Sequence, residues 1–343
     1  MRSSEGLPRW FVAAATTLAI VVAMAGCQRA PSVMPRHVAA TPVPSASVAA
    51  TAAVLATATP VSVEPTATAA RPASPEKLDV RRVLAHTRAI ELKGRRPEGG
   101  AAEHAAANYI VGQLRDLGYQ VEVEPFRLPS GLISRNVVAR AAGADARVVV
   151  LSAHIDSKRS TPGANDNAAG CGILLEIARI LAKQPAHATV EFDFFGSEEF
   201  TEKPHDHHYG SRYHVAHLTR REREHIAGMV SSDVVGYGSR FVVRTMGIGP
   251  STMSHLLLSE AKRLHVPLSY SRDPGATGWS DHEAYEKAGI PAAWLERLQD
   301  PEYHQPGDTA AHLQPAKLRE SGQFVLDVVR GLDARELDAL YRR

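Results

Sequence analysis

The sequence predicts an α/β fold in which a mostly parallel β-sheet is covered by helices on both faces. Three observations carry that expectation. Short β-branched or aromatic runs alternate with amphipathic runs of helical length, strand precedes helix repeatedly, and residues 147–152 contain an uninterrupted apolar run typical of a strand buried on both sides.

The N-terminal segments stand apart from that domain. Arg2 and Arg9 flank a start that leads into the uncharged residues 10–25, too short for a comfortable membrane span and similar to a secretory h-region. Ala25 and Gly26 then precede Cys27, and Met24-Ala25-Gly26-Cys27 resembles a bacterial lipobox, with Met24 where leucine is commoner. The expected organisation is a signal peptide over residues 1–26, a tether over 27–76 that starts at a lipid-modified Cys27, and one folded domain over 77–343. An ordinary signal peptide or an uncleaved anchor shares these features. Residues 28–75 are mostly Ala, Thr, Pro, Ser and Val, with very few charges and no Phe, Trp or Tyr, so they bury too little to offset ordering entropy. As a flexible coil that tether reaches about 40 Å. The expected location is therefore outside the cytoplasm on a membrane, and Gln28 after Cys27, rather than aspartate, favours an outer membrane where the organism has one.

Within the domain, Ala105, Tyr109, Ile110, Leu114 and Leu117 fall at helical spacing over residues 101–117, and Gly118 ends the run. Tyr119, Val121 and Val123 alternate as in a strand. After the apolar strand at 147–152, residues 170–183 form an amphipathic helix with Ile173, Leu174, Ile177 and Leu181 inward. Val190, Phe192 and Phe194 alternate up to Gly196; residues 226–232 and the short 241–245 read as strands; residues 290–295 follow a helix closed by Gly289. In such sheets ligands gather at the carboxyl ends of the strands.

Composition excludes some partners. Lys plus Arg number 39 against 37 for Asp plus Glu, and a net charge of +2 offers no broad attraction to nucleic acid. Cys171 is the one cysteine besides Cys27, so no disulfide is expected in the domain, and a small buried hydrophobe is its expected role.

Polar residues just after the strands are the candidates for chemistry. His154 and Asp156 share a face if the strand continues, which lets Asp156 accept the second N–H of the imidazole and fix a metal-binding tautomer. Alone, such a pair is better explained by a structural role. Asp166 sits in the loop GANDNAAG, where Asp166 or Asn167 also reads as a helix cap. Glu198 and Glu199 are adjacent carboxylates that repel, so they need separate tasks or open solvent. Asp233, just after the apolar strand in GMVSSDVVG, reads on its own as a cap or turn residue, and His304 in DPEYHQPGDT as a surface residue. Together they place two imidazoles and three carboxylates at one edge of a sheet, a donor set for two ions such as Zn²⁺, with Asp166 able to bridge.

The motifs SAHIDS, GANDNAAG, GSEE, SSDVVG and YHQPGDT, in this order, resemble the M28 family of zinc aminopeptidases over residues 78–332, including the start RRPEGGAAEHAAANYIVGQLRDLGYQVE. The resemblance implies a central mixed sheet sandwiched by helices, a phosphorylase/hydrolase-like zinc-peptidase fold, two Zn²⁺ per chain, and peptide substrates with a free N-terminus. It makes His154 and Asp233 ligands of one zinc and Glu199 and His304 ligands of the other, with Asp166 between them. Glu198 matches the general base, acting on a water that bridges the zinc ions; Asp156 matches the partner of the first histidine; Tyr303 matches a tyrosine that helps polarise the substrate carbonyl in some members. A cis peptide is implied between Asp166 and Asn167. Two segments depart or stay open. FTEKPHDHHYGSRY, with His205, Asp206, His207 and His208, falls outside the resemblance and reads first as a solvated polar loop, otherwise as a pocket wall or an adventitious metal site. In SDHEAY, Ser280 reads as a helix cap, and no catalytic role is assigned to Ser280, Asp281 or His282. The rivals are a glutaminyl cyclase with one zinc, a surface binding protein that lost catalysis, and a hydrolase of another amide.

Overall fold

The β-branched and aromatic runs become the strands of one sheet. The computed structural model describes residues 74–199 and 207–341, so the expected signal peptide, Cys27 and nearly all of the tether lie outside the described residues. In chain order the elements are α1 (Val80–Glu91), α2 (Ala101–Asp116), β1 (Val121–Arg127), β2 (Ile133–Ala141), β3 (Asp145–His154), α3 (Ala169–Leu181), β4 (Ala188–Phe195), α4 (Tyr209–His217), α5 (Arg220–His225), β5 (Ile226–Ser232), β6 (Arg240–Thr245), α6 (Thr252–Leu264), β7 (Leu268–Arg272), α7 (His282–Lys287), β8 (Ala292–Leu298), α8 (Pro315–Gly331) and α9 (Ala334–Tyr341). Helix α2 stops where Gly118 adopts φ 89°, a left-handed value that costs glycine little.

The strand order is β1-β2-β4-β3-β5-β8-β6-β7. Strands β4, β3, β5 and β8 are mutually parallel, while β1 and β2 on one side and β6 against β8 on the other pair antiparallel. The sheet is thus mixed and mostly parallel at its centre. Side chains alternate between its faces. Val149, Leu151, Val190, Phe192, Phe194 and Val230 pack under α1, α2, α3, α6 and α8, and Val148, Val150, Phe195 and Met229 pack under α4 and α7. Leu174 of α3 is fully buried in the first of these layers. Truncating it to alanine removes apolar contact and leaves a void, at a cost of about 2–5 kcal/mol. No helix among the described residues is long and apolar enough to cross a membrane.

Because the four central strands run in one direction, His154 at the end of β3, Glu198 and Glu199 after β4, Asp233 after β5 and the 300–308 loop after β8 emerge at the same edge.

Candidate active site

Each of these strand ends is held in place by buried polar contacts. Arg96, fully buried before α2, donates through Nε to Ile155 O (2.7 Å), through Nη1 to Pro162 O (2.7 Å) and through Nη2 to Gly163 O (2.7 Å), which fixes the loop after β3. Gly163 has φ 67°, and a Cβ there would stand 2.4 Å from Ser157 Cβ and 2.5 Å from Asp166 O, so only glycine fits this turn. Asp308 accepts the N–H groups of Asn165 (2.6 Å) and Asp166 (3.2 Å). The Asn167 amide donates to Ser232 O (3.0 Å), and its Oδ1 accepts the N–H of Gly170 (3.1 Å). Asn167 therefore serves the start of α3, which leaves the Asp166 carboxylate free for the cluster. The Asp166–Asn167 peptide bond is cis. Glu103, from α2, accepts from Ser134 Oγ (2.7 Å) and from Ser197 N (3.0 Å), anchoring the turn before Glu198.

The turns themselves are tight. Ser197 (φ 55°), Val234 (φ 54°) and His304 (φ 60°) are left-handed without being glycine. Such backbone is uncommon and costly, most of all for a β-branched valine, and it clusters where surrounding structure aims side chains for function. Each of the three is, or adjoins, a residue of the cluster.

Two groups of donors result, and they share one residue. His154, Asp166 and Asp233 form the first: His154 Nε2 lies 3.0 Å from Asp166 Oδ1 and 3.3 Å from Asp233 Oδ1. Asp166, Glu199 and His304 form the second: His304 Nε2 lies 3.0 Å from Asp166 Oδ2 and 3.4 Å from Glu199 Oε2. The two oxygens of Asp166 therefore face different imidazoles. Asp156 Oδ1 stands 3.4 Å from His154 Nδ1, and the Asp156 oxygens accept the N–H groups of Glu198 and Glu199, both at 3.0 Å. Glu198 reaches between the groups, its Oε2 3.9 Å from His154 Nε2. Tyr303 stacks on His304 with ring centroids 3.8 Å apart, and the residue is 40% exposed at the rim.

The charges are unbalanced. Asp156, Asp166, Glu198, Glu199 and Asp233 are all buried around His154, with His304 partly exposed and Lys158 Nζ 3.5 Å from Glu199. Burial alone would lower the pKa of His154, but the Asp233 and Glu198 carboxylates hold it well above its ordinary value. His304 is likewise pushed up to about 10, against the effect of its burial, by Asp166 and Glu199. Burial, and then the neighbouring acids, keep Glu198 well above the usual carboxylate range. Asp166 moves the other way, its burial outweighed by the two imidazoles. Desolvation of the Tyr303 hydroxyl, followed by the field of Asp166 and Glu199, raises its pKa well above that of an ordinary phenol. Glu199 Oε1 and Asp233 Oδ1 are buried oxygens that accept no hydrogen bond. An excess of buried carboxylates, unsatisfied oxygens and two imidazoles whose Nε2 atoms face them is the donor chemistry that suits divalent zinc.

The structure brings together His154, Asp156, Asp166, Glu198, Glu199, Asp233 and His304, with Tyr303 at the rim. It also corrects two expectations. His207 and His208 are buried, not part of a solvated loop; His205 and Asp206 lie outside the described residues. His208 is the residue that sequence reasoning missed: its Nε2 lies 3.0 Å from Glu198 Oε1 and its Nδ1 lies 2.8 Å from Glu283 Oε2, partners supplied by distant segments. The Ser280 side chain caps no helix. Helix α7 begins after Asp281, and Ser280 Oγ instead meets Ser231 Oγ at 3.0 Å inside the protein. Arg96 and Glu103 were also missed, although both stand in the RRPEGGAAEH segment. Cys171 is a free, buried thiol, as expected, with its pKa pushed up to about 12 by burial.

Comparison with known proteins agrees with this arrangement. Aminopeptidase YwaD of Bacillus subtilis (strain 168) is 30% identical over 192 residues, which cover 53% of this chain and 40% of that protein. The chain spans about half the length of the curated relatives it matches. Among solved structures, BSAP, a zinc aminopeptidase from Bacillus subtilis, superposes with a TM-score of 0.67 at 18% identity, over 74% of this chain and 94% of that one. The glutaminyl cyclase of Bacteroides thetaiotaomicron superposes with a TM-score of 0.68 at 21% identity, over 76% and 100%. At such identities the likeness is one of fold. The model of peptidase family M28 matches residues 136–329, more than half of the chain and, from within β2 to within α8, every residue of the cluster, and the protein belongs to that family.

Proposed function

We propose that the protein is a zinc-dependent aminopeptidase that removes the N-terminal residue of peptides, with two Zn²⁺ per chain. The observation that carries this reading is the pair of donor groups, His154–Asp166–Asp233 and Asp166–Glu199–His304, joined through the two oxygens of Asp166. His154 and Asp233 would hold one ion, Glu199 and His304 the other, and Asp166 both. Zinc bound there supplies a Lewis acid for the scissile carbonyl and lowers the pKa of water.

The remaining steps belong to the chain's own residues. Glu198, which reaches toward His154 among the buried acids, takes the proton of the attacking water and returns it to the leaving amine. Asp156 fixes the His154 tautomer and, through the Glu198 N–H, the height of the general base. Tyr303 offers its hydroxyl to the substrate carbonyl from the rim. A substrate's free ammonium finds acidic partners in the same cluster, whereas an internal peptide nitrogen carries no charge to place there; this restricts cleavage to the first residue.

The test is a panel of aminoacyl-nitroanilides assayed with zinc, after chelation, and after zinc is restored. Hydrolysis that disappears and returns supports the reading. Cyclisation of N-terminal glutamine by a protein holding one zinc would replace it with the cyclase, and zinc uptake without turnover of any amide would replace it with a binding protein. A lipid on Cys27 that anchors the enzyme to a membrane outside the cytoplasm completes the proposal, and Cys27→Ala should move the protein from the membrane to the soluble fraction; an unchanged distribution overturns the anchor.

A further inference from the structure

A second acidic cluster lies inside the domain, on the same strand β4 that leads to the Glu198–Glu199 turn but in mid-strand and on the face covered by α4 and α7. Glu191 and Asp193 are two apart on β4, so they share the sheet face covered by α4 and α7, and both are fully buried. His214 of α4 comes down on them, only 4% exposed. Its Nε2 stands 3.8 Å from Glu191 Oε1 and 3.7 Å from Asp193 Oδ2. These separations are too long for hydrogen bonds, and Glu191 Oε1, Asp193 Oδ1 and His214 Nε2 are buried atoms that make none. Two donors that each stand about 2.1 Å from a shared zinc ion lie between about 3.0 and 4.2 Å apart, a range that contains both distances.

The outer contacts have the form that metal ligands need. His214 Nδ1 meets Glu124 Oε1 at 3.0 Å, which orients the ring and leaves Nε2 as the inward donor. The Tyr285 hydroxyl donates to Asp193 Oδ2 (2.9 Å), and Arg140 Nε pairs with Glu191 Oε2. With His214 neutral, the carboxylates of Glu124, Glu191 and Asp193 against the Arg140 guanidinium leave an excess of two negative charges, the charge that one divalent cation cancels.

We propose that Glu191, Asp193 and His214 form a structural divalent-cation site, of the class occupied by Zn²⁺, that ties β4 to α4 independently of the strand-end cluster. Three protein donors leave the fourth position of a tetrahedral ion for a water.

The probe is Zn²⁺ itself. The full-length protein is stripped with a chelator, reloaded with Zn²⁺, desalted and crystallised, and an anomalous difference map is recorded at the zinc edge. The expected result is a peak within bonding distance of His214 Nε2 and of one oxygen each of Glu191 and Asp193. Zinc per chain should fall by one in Asp193→Asn, a nearly isosteric change. A map without that peak overturns the site, and so does an equal zinc count in folded wild type and folded Asp193→Asn. If the variant does not fold, the wild-type map decides alone. Peaks at His154 and His304 are resolved separately in the same map, so this site and the proposed catalytic one fail or stand independently.

Discussion

Strand β4 delivers acidic side chains twice, and the two deliveries differ in every respect but burial. Glu191 and Asp193 lie in mid-strand under α4, while Glu198 and Glu199 lie past its end, beyond the left-handed Ser197. The mid-strand acids meet fixed partners, Arg140, Tyr285 and His214, each from a different element. The strand-end acids face the imidazoles of His154, His208 and His304. Backbone geometry explains the contrast: inside a sheet a side chain can only face the layer that covers it, whereas a turn at the carboxyl end lets four strands converge on one point. Stability should therefore depend on the first group and turnover on the second.

The largest effect tests the second half of that contrast. Glu198→Gln should lower kcat by about 10²–10⁴ while zinc content and unfolding midpoint stay at wild-type values, measured by nitroanilide kinetics, metal analysis and thermal melting. Asp156→Asn should cost about 10–100-fold in zinc affinity or activity, because His154 loses its oriented partner. Wild-type kinetics in that variant would remove Asp156 from the account. Asp193→Asn should do the reverse of Glu198→Gln. It should destabilise the fold by about 1–3 kcal/mol in denaturant titration, since Tyr285 and His214 lose a buried partner, with a smaller change in turnover than Asp156→Asn.

The smallest effect is one of pH. In chelator-treated protein, Asp193 and Glu124 raise the pKa of His214 to about 9 despite its burial. A folded value above the unfolded one means that the contribution of His214 is complete below about pH 6.5 and is lost as pH climbs through about 9. Stability of the metal-free protein should fall over that interval, and His214→Gln should flatten the slope.

The contrast also explains what could be read in advance. Strand-end chemistry is legible because a β-branched run that stops at His154 or Asp233 announces both the strand and the residue that leaves it. The mid-strand cluster is not. Val190, Phe192 and Phe194 alternate with Thr189, Glu191 and Asp193, and such alternation equally describes a strand with one wet face. Only α4, more than a dozen residues later, decides that the face is covered. Strand β2 escaped notice for a related reason: Ser134, Arg135 and Asn136 interrupt its apolar pattern, and Asn136 is buried because its amide donates to Gly210 O (3.0 Å) and its Oδ1 accepts Gly196 N (3.2 Å). His207 and His208 looked solvated by composition alone; Glu283 and Glu198, which allow His208 to be buried, come from elsewhere in the chain.

The most direct measurement is the zinc content and turnover of Asp166→Ala, with circular dichroism to establish that the variant is folded. If the two oxygens of Asp166 serve two ions, its removal cannot cost one ion alone. The account predicts that the folded variant loses zinc from both strand-end groups and loses peptide hydrolysis with it. A folded Asp166→Ala that keeps both ions and wild-type turnover would contradict it.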